Sequence, residues 1–241
     1  MNESAMQARG LTWRADATPQ AQAVAVGEYI VTALQRAIEQ RGKASLALSG
    51  GRGPELFLRE LEQADLDWEK VSITLVDERW VPAEHPQSNA GLIERCMPSV
   101  LKRARWLPLY RGQSLQGDAE AAHKLIDSLL PLDVVVLGMG EDGHTASLFA
   151  HMPGLAEHLA PQSGPRCIAV PADGERLARL SMTGAAIQSA GVKLLVISGA
   201  QKQQTLNIAL QQQDALAMPI EAFLNAPMAI FYSPAEDPDN Q

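Results

Sequence analysis

The chain has 241 residues, 46% of them apolar and 20% charged, with a net charge of -8. That length suits one large domain or two small ones, and burying about 70–75% of the unfolded surface makes disulfide staples unnecessary. The negative balance argues against a general nucleic-acid binder, which needs a basic face, and requires a local cluster of Lys and Arg for any anionic ligand.

Cys96 and Cys167 stand far apart and in no metal-ligand spacing, as expected of buried thiols in a reducing compartment. The N-terminus is polar and mixed in charge, without the basic-then-apolar layout of a signal peptide. No apolar run approaches the roughly 20 residues of a membrane span. The expectation is a cytoplasmic protein with no membrane or nucleic-acid partner.

Residues 1–18 read as a loosely ordered tail. An amphipathic helix is expected over 20–41, where Val26, Ile30, Leu34 and Ile38 recur every fourth residue and Gly42 stops the run. The short strand Ala44 to Leu48 runs into Ser49-Gly50-Gly51-Arg52-Gly53-Pro54, and a helix follows from Pro54. A strand, a glycine loop and a helix N-terminus make a candidate phosphate cradle, because free N–H groups there point at anions. The loop lacks the GK[ST] ending of a Walker A motif and is not GxGxxG, so alone it is a weak signal.

The strand Val71 to Val76 runs into a charged loop, Asp77-Glu78-Arg79, and Ser88-Asn89 then caps a short helix. Asp77 and Arg79 stand out, although a surface ion pair would be the bland account. Trp106 to Tyr110 is strand-like, and a helix over 118–130 presents Ala121, Leu125, Leu129 and Leu130.

The segment Asp133 to Phe149 concentrates the chemistry. Val134-Val135-Val136-Leu137 reads as a buried parallel strand, ending in Gly138-Met139-Gly140-Glu141-Asp142-Gly143-His144. Two carboxylates and an imidazole thus arrive at the C-terminal end of a strand, where open α/β sheets bind ligands. The loop reads as catalytic, against the alternative of a turn whose histidine caps the next helix. Thr145 to Phe149 is expected to be helical.

Residues 150–178 are loop-rich. Strands follow at Arg179–Thr183, Val192–Ile197 and Met228–Tyr232, with a helix over 201–212 between the last two. Lys202 falls in the first turn of that helix, where the helix dipole disfavours a cation unless an anion is near. Residues 234–241 read as a second loose tail. Alternating strands and helices give an α/β class with a mainly parallel central sheet flanked by helices, in a single domain over 1–241.

Taken together, Ser49-Gly50-Gly51, Asp77 to Pro82 with Ser88-Asn89, Gly138 to Phe149, Arg179 to Thr183 and Gly199-Ala200-Gln201-Lys202 strongly resemble the 6-phosphogluconolactonase family, within the wider group that includes glucosamine-6-phosphate deaminase. The resemblance spans nearly the whole chain. It implies a modified Rossmann-like fold and hydrolysis of 6-phospho-D-glucono-1,5-lactone, a step of the oxidative pentose phosphate pathway, without metal or organic cofactor. It implies His144 as catalytic base, with Glu141, Asp142 or Asp77 orienting it. Arg79, Arg179 and Lys202, with the Ser49-Gly50-Gly51 loop, would hold the phosphate.

Arg52-Gly53 stands where that family usually carries a small hydroxyl pair, so Arg52 would either supply charge or point to solvent. Ala150-His151 stands where a proline is common. The deaminase branch carries an acid shortly after the loop histidine, and Ala146 to Phe149 offers none. A non-catalytic sugar-phosphate module is the third reading, set against the intact His144. The sequence leaves monomer and homodimer open.

Overall fold

The computed structural model describes residues 3–51, 53–162 and 164–234; Arg52 lies outside them. Helix α1 (Glu3–Ala8) and strand β1 (Leu11–Ala15) come first. Helix α2 (Pro19–Arg41) starts where the Thr18 side chain accepts from the Ala21 N–H, and ends at Gly42, whose φ of 74° suits glycine. Its Val26, Ile30 and Leu34 are fully buried, each burial contributing about 1.5–3 kcal/mol.

Strand β2 (Ala44–Leu48), helix α3 (Glu55–Gln63), strand β3 (Val71–Leu75) and the three-residue strand β4 (Asp77–Arg79) follow. Helices α4 (Asn89–Cys96) and α5 (Pro98–Arg103), strand β5 (Arg105–Leu107), helix α6 (Leu115–Asp127) and strand β6 (Val134–Leu137) complete the first part. The rest comprises helix α7 (Leu155–Leu159), strands β7 (Cys167–Val170) and β8 (Arg179–Met182), helix α8 (Gly184–Ile187), strand β9 (Val192–Ser198), helix α9 (Ala200–Gln212) and strand β10 (Met228–Ser233).

Seven strands form one sheet in the order β1-β10-β9-β6-β2-β3-β5, and every pairing in it is parallel. β2 and β6 are buried along their whole length, as parallel strands covered on both faces must be. From β2 the chain winds one way, to β3 and β5; from β6 it winds the other way, to β9 and β10. The switch point therefore lies between β2 and β6, and the loops that leave these two strands flank the crevice there. A smaller antiparallel sheet, β4-β8-β7, stands beside it. No described helix is long and apolar enough to cross a membrane.

Four expectations need correction. Residues 3–15 are not a loose tail: β1 pairs in register with β10, Leu11 beside Met228, and Trp13 stacks on Tyr232 at 5.4 Å. Residues 235–241 fall outside the description. Thr145 to Phe149 is not helical. Ala146 sits at φ 50°, Thr145 and Leu148 form a bridge, and Ser147 spends its N–H on Ser181 Oγ, so the helical ladder never starts.

Asp77-Glu78-Arg79 is a strand rather than a loop, because the chain leaves the large sheet at Val76 and pairs with β8. The buried face of α6 carries Asp118, Ala119, Ala122 and Ile126, one residue round from the expected stripe. Asp118 sets that rotation: its Oδ2 accepts from Trp80 Nε1 and from the N–H groups of Arg111 and Gly112.

Candidate active site

The loop after β6 is tied to itself before it meets anything else. Thr145 Oγ1 donates to the Gly138 carbonyl at 2.7 Å, the Gly140 N–H to the His144 carbonyl at 2.9 Å, and the Gly143 N–H to the Gly140 carbonyl at 3.1 Å. These bonds turn the His144 ring toward Asp142, with Nδ1 2.5 Å from Asp142 Oδ1. That oxygen also accepts the His144 N–H at 3.2 Å. With Nδ1 engaged by the carboxylate, Nε2 is the nitrogen left for the cavity. Phe149 packs against the ring, centroids 4.6 Å apart. A Cβ on Gly140 would collide with both the imidazole and the Asp142 carboxylate, so glycine is needed there for close approach.

Burial works to raise the Asp142 carboxyl, but the charge and hydrogen bonds of His144 outweigh it and hold the group below its usual range. Glu141 behaves differently. Its side chain is exposed, and its backbone carbonyl accepts from Thr205 Oγ1. Of the two neighbouring acids, Asp142 meets the histidine and Glu141 does not.

The small sheet supplies the cationic wall. In the β4–β8 register Asp77 faces Ser181 and Arg79 faces Arg179. Like charges directly opposite on neighbouring strands repel, so this pair is stable only with counter-charge or ligand close by. Asp77 gives part of it: its Oδ2 lies 3.8 Å from Arg179 Nη1 and accepts from Ser147 Oγ at 2.6 Å. Arg79 Nη1 is held by the Asn89 side-chain oxygen and by the Gln87 carbonyl, and Asn89 in turn donates to the Asp77 carbonyl at 2.8 Å. Burial pushes the Arg179 guanidinium down, Asp77 opposes this, and the charges of Arg79 and Arg176 add to it.

Strand alternation sends Glu78 to the opposite face, where it is fully buried. Its carboxylate accepts from the N–H groups of Arg79, Asn89 and Ala90 and from Ser88 Oγ, which fixes the start of α4 and so the position of Asn89.

The third wall is the Ser49-Gly50-Gly51 loop. Ser49 Oγ donates to the Val136 carbonyl at 2.8 Å, bolting the loop across the switch point. A side chain on Gly50 would strike Asn89. Lys202, half-buried in the first turn of α9, closes the far side, and that helix start has no side-chain cap.

Ser49, Gly50, Gly51, Asp77, Arg79, His144, Arg179 and Lys202 all line one cavity of about 230 Å³. Asp142 stands behind the histidine. Among the described residues no group of three or more His, Cys, Asp or Glu is placed to hold a metal ion. Cys96 and Cys167 are free and buried, and burial pushes the Cys167 thiol up to about 12. His123 accepts the Arg166 N–H away from the cavity, and His151 and His158 line a separate hollow.

Residues 17–230 match the model of the family described as glucosamine-6-phosphate isomerases/6-phosphogluconolactonase. The chain belongs to this family. A 6-phosphogluconolactonase of Pseudomonas aeruginosa is 43% identical over 216 residues, covering 88% of this chain and 91% of that one. A 6-phosphogluconolactonase of Rhizobium meliloti is 41% identical over 222 residues, covering 90% and 96%. A crystal structure of a 6-phosphogluconolactonase from Shewanella baltica superposes with a TM-score of 0.87 at 33% identity, covering 92% of this chain and 97% of that one.

In this glucosamine-6-phosphate isomerase/6-phosphogluconolactonase family member, three residues of the site carry no clear signal in the sequence. Asn89 was legible only as part of a helix start, yet it joins Arg79 to Asp77. Ser147 fell within the expected helix of Thr145 to Phe149 and is instead the hydroxyl between Asp77 and Arg179. Glu78, inside the Asp77-Glu78-Arg79 run, carried no separate signal; the two-residue alternation of a strand would have sent it to the other face.

Proposed function

We propose that the protein hydrolyses 6-phospho-D-glucono-1,5-lactone to 6-phospho-D-gluconate in the oxidative pentose phosphate pathway. The observation that carries this is an oriented imidazole and a pair of facing arginines opening on one cavity. The names of the similar enzymes support the choice of substrate. In this reading Arg79, Arg179 and Lys202 bind the phosphate, whose charge is about -1.5 to -2 near neutral pH. Asp77 keeps Arg179 and Ser147 in place.

His144 Nε2 removes a proton from water as the water oxygen attacks the lactone carbonyl carbon. Asp142 stabilises the imidazolium that forms and keeps the proton on Nδ1. N–H groups of the Ser49-Gly50-Gly51 loop receive the negative charge that develops on the carbonyl oxygen. When the tetrahedral adduct collapses, the bond from that carbon to the ring oxygen breaks. His144 returns the proton to the departing ring oxygen, leaving a free hydroxyl and a carboxylic acid, which releases its remaining proton to solvent to become the carboxylate. No covalent enzyme intermediate and no cofactor enter this sequence. The reading takes the chain as one cytoplasmic domain.

The test is lactone loss followed in real time, with spontaneous hydrolysis subtracted. His144→Ala is expected to fold and to lose about 10²–10⁴-fold in kcat. Arg179→Ala and Lys202→Ala are expected to lose kcat/KM. Near-native turnover by His144→Ala would refute the base assignment, and unchanged constants in both cation variants would refute the phosphate assignment. Ammonia release from glucosamine 6-phosphate, with no lactone turnover, would replace the reaction itself.

A further inference from the structure

A groove of about 510 Å³ opens beside the inner cavity, between the start of α4 and the segment that leads into β8. Four arginines line it. Arg79 and Arg179 belong also to the inner cavity; Arg95 and Arg176 do not. Glu175 is the one carboxylate on its lining among the described residues. In a chain whose net charge is -8, so dense a positive patch runs against the average.

The patch is only partly neutralised from behind, by Asp77 beside Arg179 and Asp173 beside Arg176. Arg95, exposed on the last turn of α4, forms no ion pair among the described residues, and neither does Arg79. Arg176 pairs with Asp173 at 2.5 Å and lies over the Phe149 ring, its Cζ 4.5 Å from the centroid. Arg179 is over the same ring at 5.4 Å, and its buried Nε has no hydrogen-bond partner among the described residues. Phe149 therefore holds two guanidinium groups on one aromatic platform, which favours cations but does nothing to satisfy their N–H donors. Gathered like charges with spare donors are what a multiply charged anion requires.

We propose that the groove is an outer anion subsite, in which Arg95 and Arg176 take up the phosphate of the lactone before it passes inward to Arg79 and Arg179. This rests on the reaction proposed above. The electrostatic logic is simple. An acidic protein repels a dianionic substrate at long range, and a cationic groove at the entrance reverses that field locally and raises the capture rate. Arg95 and Arg176 are then residues for capture, while the inner pair and Lys202 hold the substrate during the chemistry.

The experiment compares the native protein with Arg95→Gln, Arg176→Gln and the double variant. kcat and KM for 6-phosphogluconolactone are measured from about 10 mM to about 100 mM NaCl, over which the Debye length falls from about 30 Å to about 10 Å. Unphosphorylated glucono-1,5-lactone, as substrate or competitor, is the uncharged control. The expected result is a native kcat/KM that falls with salt. The double variant should start on the order of tenfold lower at low salt, show a flatter salt dependence, and express the loss in KM rather than kcat. Its handling of the uncharged lactone should match the native protein. Equal kcat/KM and equal salt dependence would overturn the subsite, and so would a loss of the same size for both lactones. A native protein inactive on the phosphorylated lactone would overturn the reaction, and the subsite with it.

Discussion

Glu78→Gln tests the reading of the buried carboxylate behind the cationic wall. Glu78 is fully buried and accepts from three backbone N–H groups at 2.7–2.8 Å and from Ser88 Oγ at 3.1 Å. Burial pushes its carboxyl from the ordinary 4.5 up to about 7, against the pull of the Ala90 and Asn89 N–H groups. The folded protein then binds this proton more tightly than the unfolded chain does. Between pH 4.5 and about 7 the native state holds the extra proton, so this contribution to stability is present at low pH and is lost as pH rises through the window.

At about 1.4 kcal/mol per pH unit the interval corresponds to about 3 kcal/mol. Glutamine cannot titrate, and its amide also sets an N–H against a donor, a fixed cost of about 1–3 kcal/mol at every pH. Urea unfolding of both proteins at pH 5 and pH 8 separates the two effects. The native protein should exceed the variant by about 2–3 kcal/mol more at pH 5 than at pH 8. A difference independent of pH would refute the argument. A difference that grows with pH would show that the four donors outweigh burial and that the group is ionised throughout.

Asp142→Asn should leave KM close to native and lower kcat by about 10²–10⁴-fold, because an amide donating to Nδ1 leaves the proton on Nε2. Glu141→Gln should stay within about twofold, and a matching loss there would reassign the orienting acid. Gly140→Ala should cost at least about 10²-fold in kcat, since its Cβ displaces the imidazole, while melting shows a folded protein. Removal of residues 1–16 takes β1 off the β10 edge and the Trp13 ring off Tyr232. A lowered Tm and concentration-dependent aggregation are expected, and an unchanged melt would show that β1 is dispensable.

The strands of the large sheet were legible where burial made them apolar runs, continuous at β6 and broken by a single interior polar residue at β2 and β9, Ser45 and Lys193. β1 escaped notice because Leu11 to Ala15 is half exposed, and its strand character comes from its pairing with Met228 to Tyr232. β4 escaped because three charged residues carry no hydrophobic periodicity; the pairing with β8 makes the strand. The turn at Thr145 to Phe149 has helix-like composition, but its Ser147 is claimed by Ser181 and Asp77, partners more than thirty residues away. In the site, residue types at the ends of strands pointed to His144 and Arg79, and the family resemblance added Arg179. The choice between Glu141 and Asp142 was not legible, since it depends on how the turn closed by Gly143 folds back on Gly140.

The two sheets have a consequence for what this scaffold can become. The imidazole comes from a loop of the large parallel sheet, whereas the facing arginines come from the small antiparallel one. In the proposed reaction, the base and the arginine part of the phosphate grip are thus separate modules that share a cavity but come from different sheets. Substitutions in residues 138–144 can change the reaction performed on a sugar phosphate, whereas Ser147 and Phe149, which touch Arg179, belong with the handle that holds it. A laboratory search for new chemistry in this chain should therefore randomise that loop and leave β4 and β8 untouched.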